Sequence, residues 1–220
     1  MFKIFNFKSS PKETFFAPEW NYYLFEKHIK EIDFKELSSF ILSKEKEISK
    51  LPVVKVGDKV LDGDTGLGEN STTSKFRSYN VLEWKNENVS KLQKIIIDFH
   101  NEILDYFNQP PTKELWIQCW VNIIRNGQQI KPHLHDTGPQ TYLGGHICVQ
   151  CNDTTTNYIN PINQIIEPEI YQSRNEVGKI TMFQNNIPHY TSIHKSDIER
   201  ITIAFDLSLN KIKDNFLKII

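Results

Sequence analysis

Near residue 115 the chain changes its period. Before that point apolar residues recur at helical spacing. After it come short runs rich in β-branched and aromatic residues, each closed by a turn signal. Residues 116–124 read Trp-Ile-Gln-Cys-Trp-Val-Asn-Ile-Ile, Asn126-Gly127 is a turn dipeptide, and residues 128–135 resume as a strand. Further short strands are expected at 142–150, 158–159, 170–171, 179–183, 189–194 and 200–207. Between them stand Gly138-Pro139, Asn152-Asp153, Asn160-Pro161, Glu176-Val177-Gly178, Asn185-Asn186 and Lys195-Ser196-Asp197. A series of short strands at this spacing must bury one face of each, and a double-stranded β-helix, or jelly roll of cupin-like type, does so.

The front half supplies helices to back that roll. Asp33-Phe34-Lys35-Glu36 reads as an N-cap with a capping-box glutamate. Phe34, Leu37, Phe40, Ile41 and Ile48 follow at helical spacing, and the helix should end before Leu51-Pro52. Leu92, Ile96, Phe99, Ile103 and Phe107 form the apolar face of a longer helix, stopped by Asn108-Gln109-Pro110-Pro111. The 220 residues suffice for one sizeable core, and no repeat or linker interrupts them. The chain is therefore read as one mainly β domain over 1–220, with a front of helices and loops at 1–112 and a jelly-roll core at 113–210.

Composition narrows the function by exclusion. A net charge of −1 indicates neither nucleic acid nor an anionic membrane surface as partner. No apolar run approaches the roughly 20 residues of a membrane span, and residues 1–18, Phe-rich but broken by Lys, lack a signal-peptide core. Cys119, Cys148 and Cys151 are an odd set with no second Cys-x-x-Cys, so they read as structural thiols in a reducing compartment, and a cytoplasmic location is expected. Gly63-Asp64-Thr65-Gly66-Leu67-Gly68 lacks the Gly-Lys-Ser/Thr ending of a phosphate loop. The segment 57–74 reads instead as a surface loop, a candidate with the 150–163 loop to cover a substrate.

Chemistry concentrates in His133-Leu134-His135-Asp136, His189 and Arg200. A two-residue offset in a strand puts His133 and His135 on one face. His189 follows Pro188, a rigid entry that can aim a ligand. Imidazole suits Fe, Zn, Cu and Ni, and three protein ligands leave open positions for catalysis. If the strand stays regular the third donor is His135; if it ends or bulges there, Asp136 swings in. Periodicity favours His135. The bland alternative is a set of satisfied surface or core histidines, the reading given to His28, His100, His146 and His194. On the last strand Arg200, Thr202 and Ala204 share a face. A guanidinium pointed into a small barrel is costly unless it meets an anion, and its planar fork suits a carboxylate; an ion pair with Asp197 or Glu199 would serve equally.

Taken together, Trp120-Val121-Asn122, His133-Leu134-His135, Leu143-Gly144-Gly145, the 178–183 stretch, His189 and Arg200-Ile201-Thr202 resemble the 2-oxoglutarate/Fe(II)-dependent oxygenases. The likeness is to small bacterial and phage proteins related to prolyl hydroxylases. It covers residues 116–207 and implies Fe(II) on His133 and His189, with 2-oxoglutarate held by Arg200 and Thr202 and its pocket lined by Asn122. Where most of the family has His-x-Asp/Glu this chain has His135, which gives a three-histidine metal set of His133, His135 and His189. The implied reaction is hydroxylation of a C–H bond by O2 with decarboxylation of 2-oxoglutarate to succinate, on a small-molecule or peptidyl substrate. The rival readings are a three-His dioxygenase or hydrolase without 2-oxoglutarate, and a non-catalytic jelly-roll binding module. Neither the substrate nor the oligomeric state is written in the sequence.

Overall fold

The computed structural model describes residues 1–56, 59–60, 65–162 and 166–220. Its elements run β1 (Lys3–Lys8), β2 (Asn21–His28), α1 (Phe34–Ile48), a two-residue hairpin β3 (Lys55–Val56) and β4 (Lys59–Val60), α2 (Glu87–Tyr106), β5 (Trp116–Ile124), β6 (Leu143–Gln150), β7 (Thr155–Ile159), β8 (Ile170–Arg174), β9 (Lys179–Gln184), β10 (His189–Thr191), β11 (Arg200–Ser208) and β12 (Leu217–Lys218). Seven strands form one sheet in the order β1-β2-β9-β6-β11-β5-β12, and β10-β7-β8 form a second. Phe7, Leu24 and Phe183 of the large sheet meet Tyr158 of the small one in a buried cluster, so the two sheets close on each other as the expected jelly roll.

The large sheet is two-faced because its central strands alternate. On β11, Ile201, Ile203, Phe205 and Leu207 are buried on one side, and Arg200, Thr202, Ala204 and Asp206 point to the other. The antiparallel register sets Thr202 opposite Asn122 and Cys148, and Ala204 opposite Trp120 and His146. Ile117, Val121 and Ile123 of β5, with Ile147 and Val149 of β6, continue the apolar side. There they share a core with Leu37, Ile41 and Ile48 of α1 and with Leu92, Ile96, Phe99 and Ile103 of α2. Each such side chain contributes about 1.5–3 kcal/mol by leaving water. The helices thus seal one face, and the polar face lines the interior of the roll.

Three local readings are corrected. The front is not purely helical: β1 and β2 extend the large sheet, β2 pairing with β9 across most of the chain length. Residues 128–135 form no ladder: only His133 and His189 bridge, and the next ladder donor, the Lys131 N–H, goes to the Thr65 carbonyl instead. Asp33 does cap α1, accepting from Lys35 N and Glu36 N. Glu36 does not close the box, however. It accepts from Asn86 and Asn88, and Asn88 Oδ1 accepts the Asp33 N–H at 3.0 Å, tying the starts of the two helices together.

Gly145 shows how tightly β6 is held. A Cβ there would fall 2.6 Å from the Thr181 carbonyl and into the Phe205 ring. Gly145→Ala is expected to lower stability by about 1–3 kcal/mol through overpacking, measured as a lower denaturant midpoint with an unchanged slope. An unchanged midpoint would show that the strands can shift freely.

Candidate metal centre and cosubstrate pocket

The metal-grade residues come from two short segments laid side by side. His133 and His189 exchange both backbone hydrogen bonds, at 3.0 and 2.8 Å, and the N–H groups of His135 and Asp136 both reach the Asn185 carbonyl. The extended path this imposes keeps His133 and His135 on one side and leaves Leu134 exposed on the other. One ligand-capable atom from each of His133, His135 and His189 lies within 4.8 Å of the others, a group that could hold a metal ion. Ring centroids are 4.3 Å apart for His133–His189 and 5.0 Å for His135–His189.

Hydrogen bonding settles which nitrogen each ring offers. His133 Nδ1 donates to the Lys131 carbonyl at 2.9 Å, and His189 Nδ1 donates to the Ile187 carbonyl at 3.0 Å. His135 Nδ1 donates to the Asp206 carboxylate at 2.5 Å. All three Nδ1 atoms therefore carry the proton, and all three Nε2 lone pairs are left for a metal. Burial, reinforced by His135, pushes the His133 imidazole down to about 4, and burial pushes His189 well below its ordinary value. Both are neutral at pH 7, as metal binding requires. Gly144 makes the packing possible: a Cβ there would sit 2.9 Å from His135 Nδ1. Asp136 lines the same cavity but is outside this group, and its carboxylate accepts the Gly138 N–H at 2.9 Å.

The cluster lines a cavity of about 410 Å³ that also contains Arg200, Thr202 and Asn122. Arg200 is 2% exposed. Its Nη2 donates to Thr156 Oγ1 at 3.1 Å, while Nε and Nη1 are buried with no partner. Asp197 and Glu199, the alternative counterions, lie elsewhere: Asp197 accepts from Asn126 and Glu199 faces Arg125 at 3.9 Å. A buried guanidinium left with free donors costs several kcal/mol, a deficit that a carboxylate removes. Thr73 Oγ1 donates to Asn122 Oδ1 at 2.7 Å, and Asn122 Nδ2 approaches Thr202 Oγ1 at 3.4 Å, so the polar floor beside Arg200 is held from β5.

Sequence reasoning overlooked Asp206, Thr156 and His146. Asp206 was legible, since it continues the Arg200-Thr202-Ala204 alternation by one step. His146 was set aside as ordinary, yet it lines the cavity with Nε2 unpartnered, and burial followed by the Arg200 charge pushes it to about 3. The histidines read as ordinary elsewhere include His100, bonded to Tyr142, and His194, bonded to the Ile198 carbonyl. Of the two loops expected to cover a substrate, residues 57, 58, 61–64 and 163 lie outside the described residues; Thr65 and Thr73 do line the cavity.

Residues 118–206 match a protein family described as "Putative 2OG-Fe(II) oxygenase". A comparison with curated protein sequences returns no match. Among solved structures, a Pseudomonas putida prolyl-4-hydroxylase aligns over 84% of this chain and 91% of its own, at 9% identity and a TM-score of 0.54. The non-heme alpha ketoglutarate dependent epimerase SnoN of nogalamycin biosynthesis aligns over 89% and 93%, at 10% identity and a TM-score of 0.53. SnoN in complex with Fe3+, alpha ketoglutarate and nogalamycin RO aligns over 89% and 94%, at 8% identity and a TM-score of 0.51. At these identities the structures speak for the shared fold.

Asp206 fixes the tautomer and tilt of His135, so Asp206→Asn is expected to weaken Ni(II) binding by about 10–100-fold in calorimetric titration. Asp136→Asn leaves it unchanged. The reverse pattern would move the third donor from His135 to Asp136.

Proposed function

We propose that this chain, whose residues 118–206 match a 2OG-Fe(II) oxygenase family, is a 2-oxoglutarate/Fe(II)-dependent oxygenase in which His133, His135 and His189 hold the iron through Nε2 and Arg200 holds the distal carboxylate of 2-oxoglutarate. The observation that carries this reading is a buried Arg200 with two unpartnered donor nitrogens in the same cavity as three converging imidazoles. Fe(II) with 2-oxoglutarate supplies the activation of O2, with decarboxylation of the cosubstrate to succinate and hydroxylation of a substrate C–H bond.

The chain's own residues bind, orient and exclude. Thr156 takes one Arg200 N–H and donates its hydroxyl proton to Asn175 Oδ1 at 3.0 Å, so the guanidinium plane is set before any ligand arrives. Thr202 and Asn122 present polar groups beside it. The rings of Trp120 and Phe183 stand 5.8 and 5.6 Å from His135 and keep water from that side of the cluster. Arg200 argues against a three-His hydrolase, which has no use for a buried carboxylate clamp. The substrate is a small molecule or a peptidyl residue, and nucleic acid is not implied. No helix among the described residues is long and apolar enough to cross a membrane. The three cysteines, none in a disulfide, support a cytoplasmic setting.

Incubation with Fe(II), 2-oxoglutarate and air is expected to yield succinate even without a prime substrate. Arg200→Ala should raise the 2-oxoglutarate Kd by about two orders of magnitude, ~3 kcal/mol, because one partner of a desolvated charge pair is removed. Absence of succinate, together with no 2-oxoglutarate binding to the Ni(II)-loaded protein, would sink the proposal.

A further inference from the structure

Besides Arg200, the rim of the cavity carries a pair of cations. Arg77 lies two residues past the short 3₁₀ turn Thr73–Lys75, and Lys213 lies in the segment before β12. Both line the cavity that holds the three histidines. Arg77 Nε is buried without a hydrogen-bond partner. Lys213 is exposed, which places it at the mouth, and burial of its ammonium followed by the Arg77 charge holds it below its ordinary value. Both cations thus line the rim of one cavity. The acidic groups near them are Asp206 for both and Asp136 for Lys213. Each is already engaged: Asp206 by His135 at 2.5 Å, Asp136 by the Gly138 N–H at 2.9 Å.

An aromatic wall runs from these cations to the histidines. The Arg77 guanidinium lies over the Phe76 ring at 4.6 Å, Phe76 is 5.5 Å from Trp120, and Trp120 is 5.8 Å from His135. Phe216 lines the same cavity with Lys213. A guanidinium stacked on a ring keeps its in-plane donors for an oxygen ligand. A ligand with an anionic head on Arg77 and Lys213 and an apolar body along Phe76 and Trp120 would bring its carbon skeleton to the His135 side of the cluster.

We propose that Arg77 and Lys213 form the substrate's anion subsite, binding a carboxylate or phosphate group of a molecule whose apolar part lies on Phe76 and Trp120. This rests on the oxygenase reading above and assigns the substrate class of that same site. Arg200 serves a different anion, deep in the cavity. An acidic peptide side chain or C-terminus fits as well as a free organic acid.

The test uses the full chain loaded with Zn(II) and saturating 2-oxoglutarate, and matched probes: 3-phenylpropionate against 3-phenylpropionamide, and phenyl phosphate against phenol. Calorimetry is expected to show an anion bound about 10-fold or more tighter than its neutral partner, the range of a charge-assisted hydrogen bond. The preference should vanish in the Arg77→Gln/Lys213→Gln double variant and survive in part in Arg77→Lys. The larger of the two ratios names the group as carboxylate or phosphate. Equal binding of anion and neutral partner, binding of none of the probes, or full anion preference in the double variant overturns the subsite. Titration of 2-oxoglutarate alone, run on the same Zn(II)-loaded protein, separates the two readings: if it fails to bind while the probes bind through Arg77, the oxygenase assignment falls and the subsite stands.

Discussion

Everything in this molecule hangs on the register of β11 between β5 and β6. Because side chains alternate strictly along a strand, that register sends Ile201, Ile203 and Phe205 under the helices and Arg200, Thr202 and Asp206 into the cavity. A slip of one residue would bury the polar set in the apolar core and aim isoleucines at the histidines. The apolar face therefore does more than stabilise. The free energy gained by burying it fixes where the guanidinium and the carboxylate of the opposite face must sit, and the site inherits its placement from the core.

The electrostatics follow from that placement. A ligating imidazole brings a lone pair but no charge, so a divalent ion bound there would keep its full charge at the ligands. Asp206 supplies a negative charge one hydrogen bond away, through His135, and the 2-oxoglutarate dianion would supply more against Arg200. Glu26 and Lys179 meet at 3.6 Å and close one buried pair, but the cavity leaves Arg200 to be completed by a ligand. This accounts for a buried guanidinium with idle donors in a protein whose surface ion pairs, such as Arg125–Glu45 and Lys94–Asp98, are closed.

Much of this was legible in the sequence, and the failures have physical causes. Short strands with turn punctuation betrayed the jelly roll, and helical spacing betrayed α1 and α2, because those signals are local. β1 and β2 were missed because their partners are remote: β2 becomes a strand by pairing with β9, and nothing near Asn21 announces it. The 128–135 segment reads as a strand and is an extended path tethered at single points, because the Lys131 N–H pairs with the Thr65 carbonyl rather than with the neighbouring strand. The histidines could be found by alternation, yet Asp206 could be found only by carrying the β11 alternation one step further. Arg77 and Lys213 come from segments without periodicity, so only the folded chain brings them to one rim.

The proposal of His135 over Asp136, one residue apart, rests on bonds that neither makes to a metal. Swinging Asp136 inward would break its cap on the Gly138 N–H and disturb the hydrogen bonds that both residues send to the Asn185 carbonyl. It would also strand the Asp206 carboxylate without its imidazole partner, at a cost of about 1–3 kcal/mol or more for a charged group. The empty volume over Gly144 is shaped for the His135 ring, since any side chain at that position would collide with Nδ1. The surroundings of His135, a glycine beneath, a carboxylate behind and aromatic rings to either side, are those of a side chain held in place from every direction, whereas Asp136 is bound as an ordinary turn residue. The proposed ligand set thus rests on what surrounds the two candidates rather than on the candidates themselves.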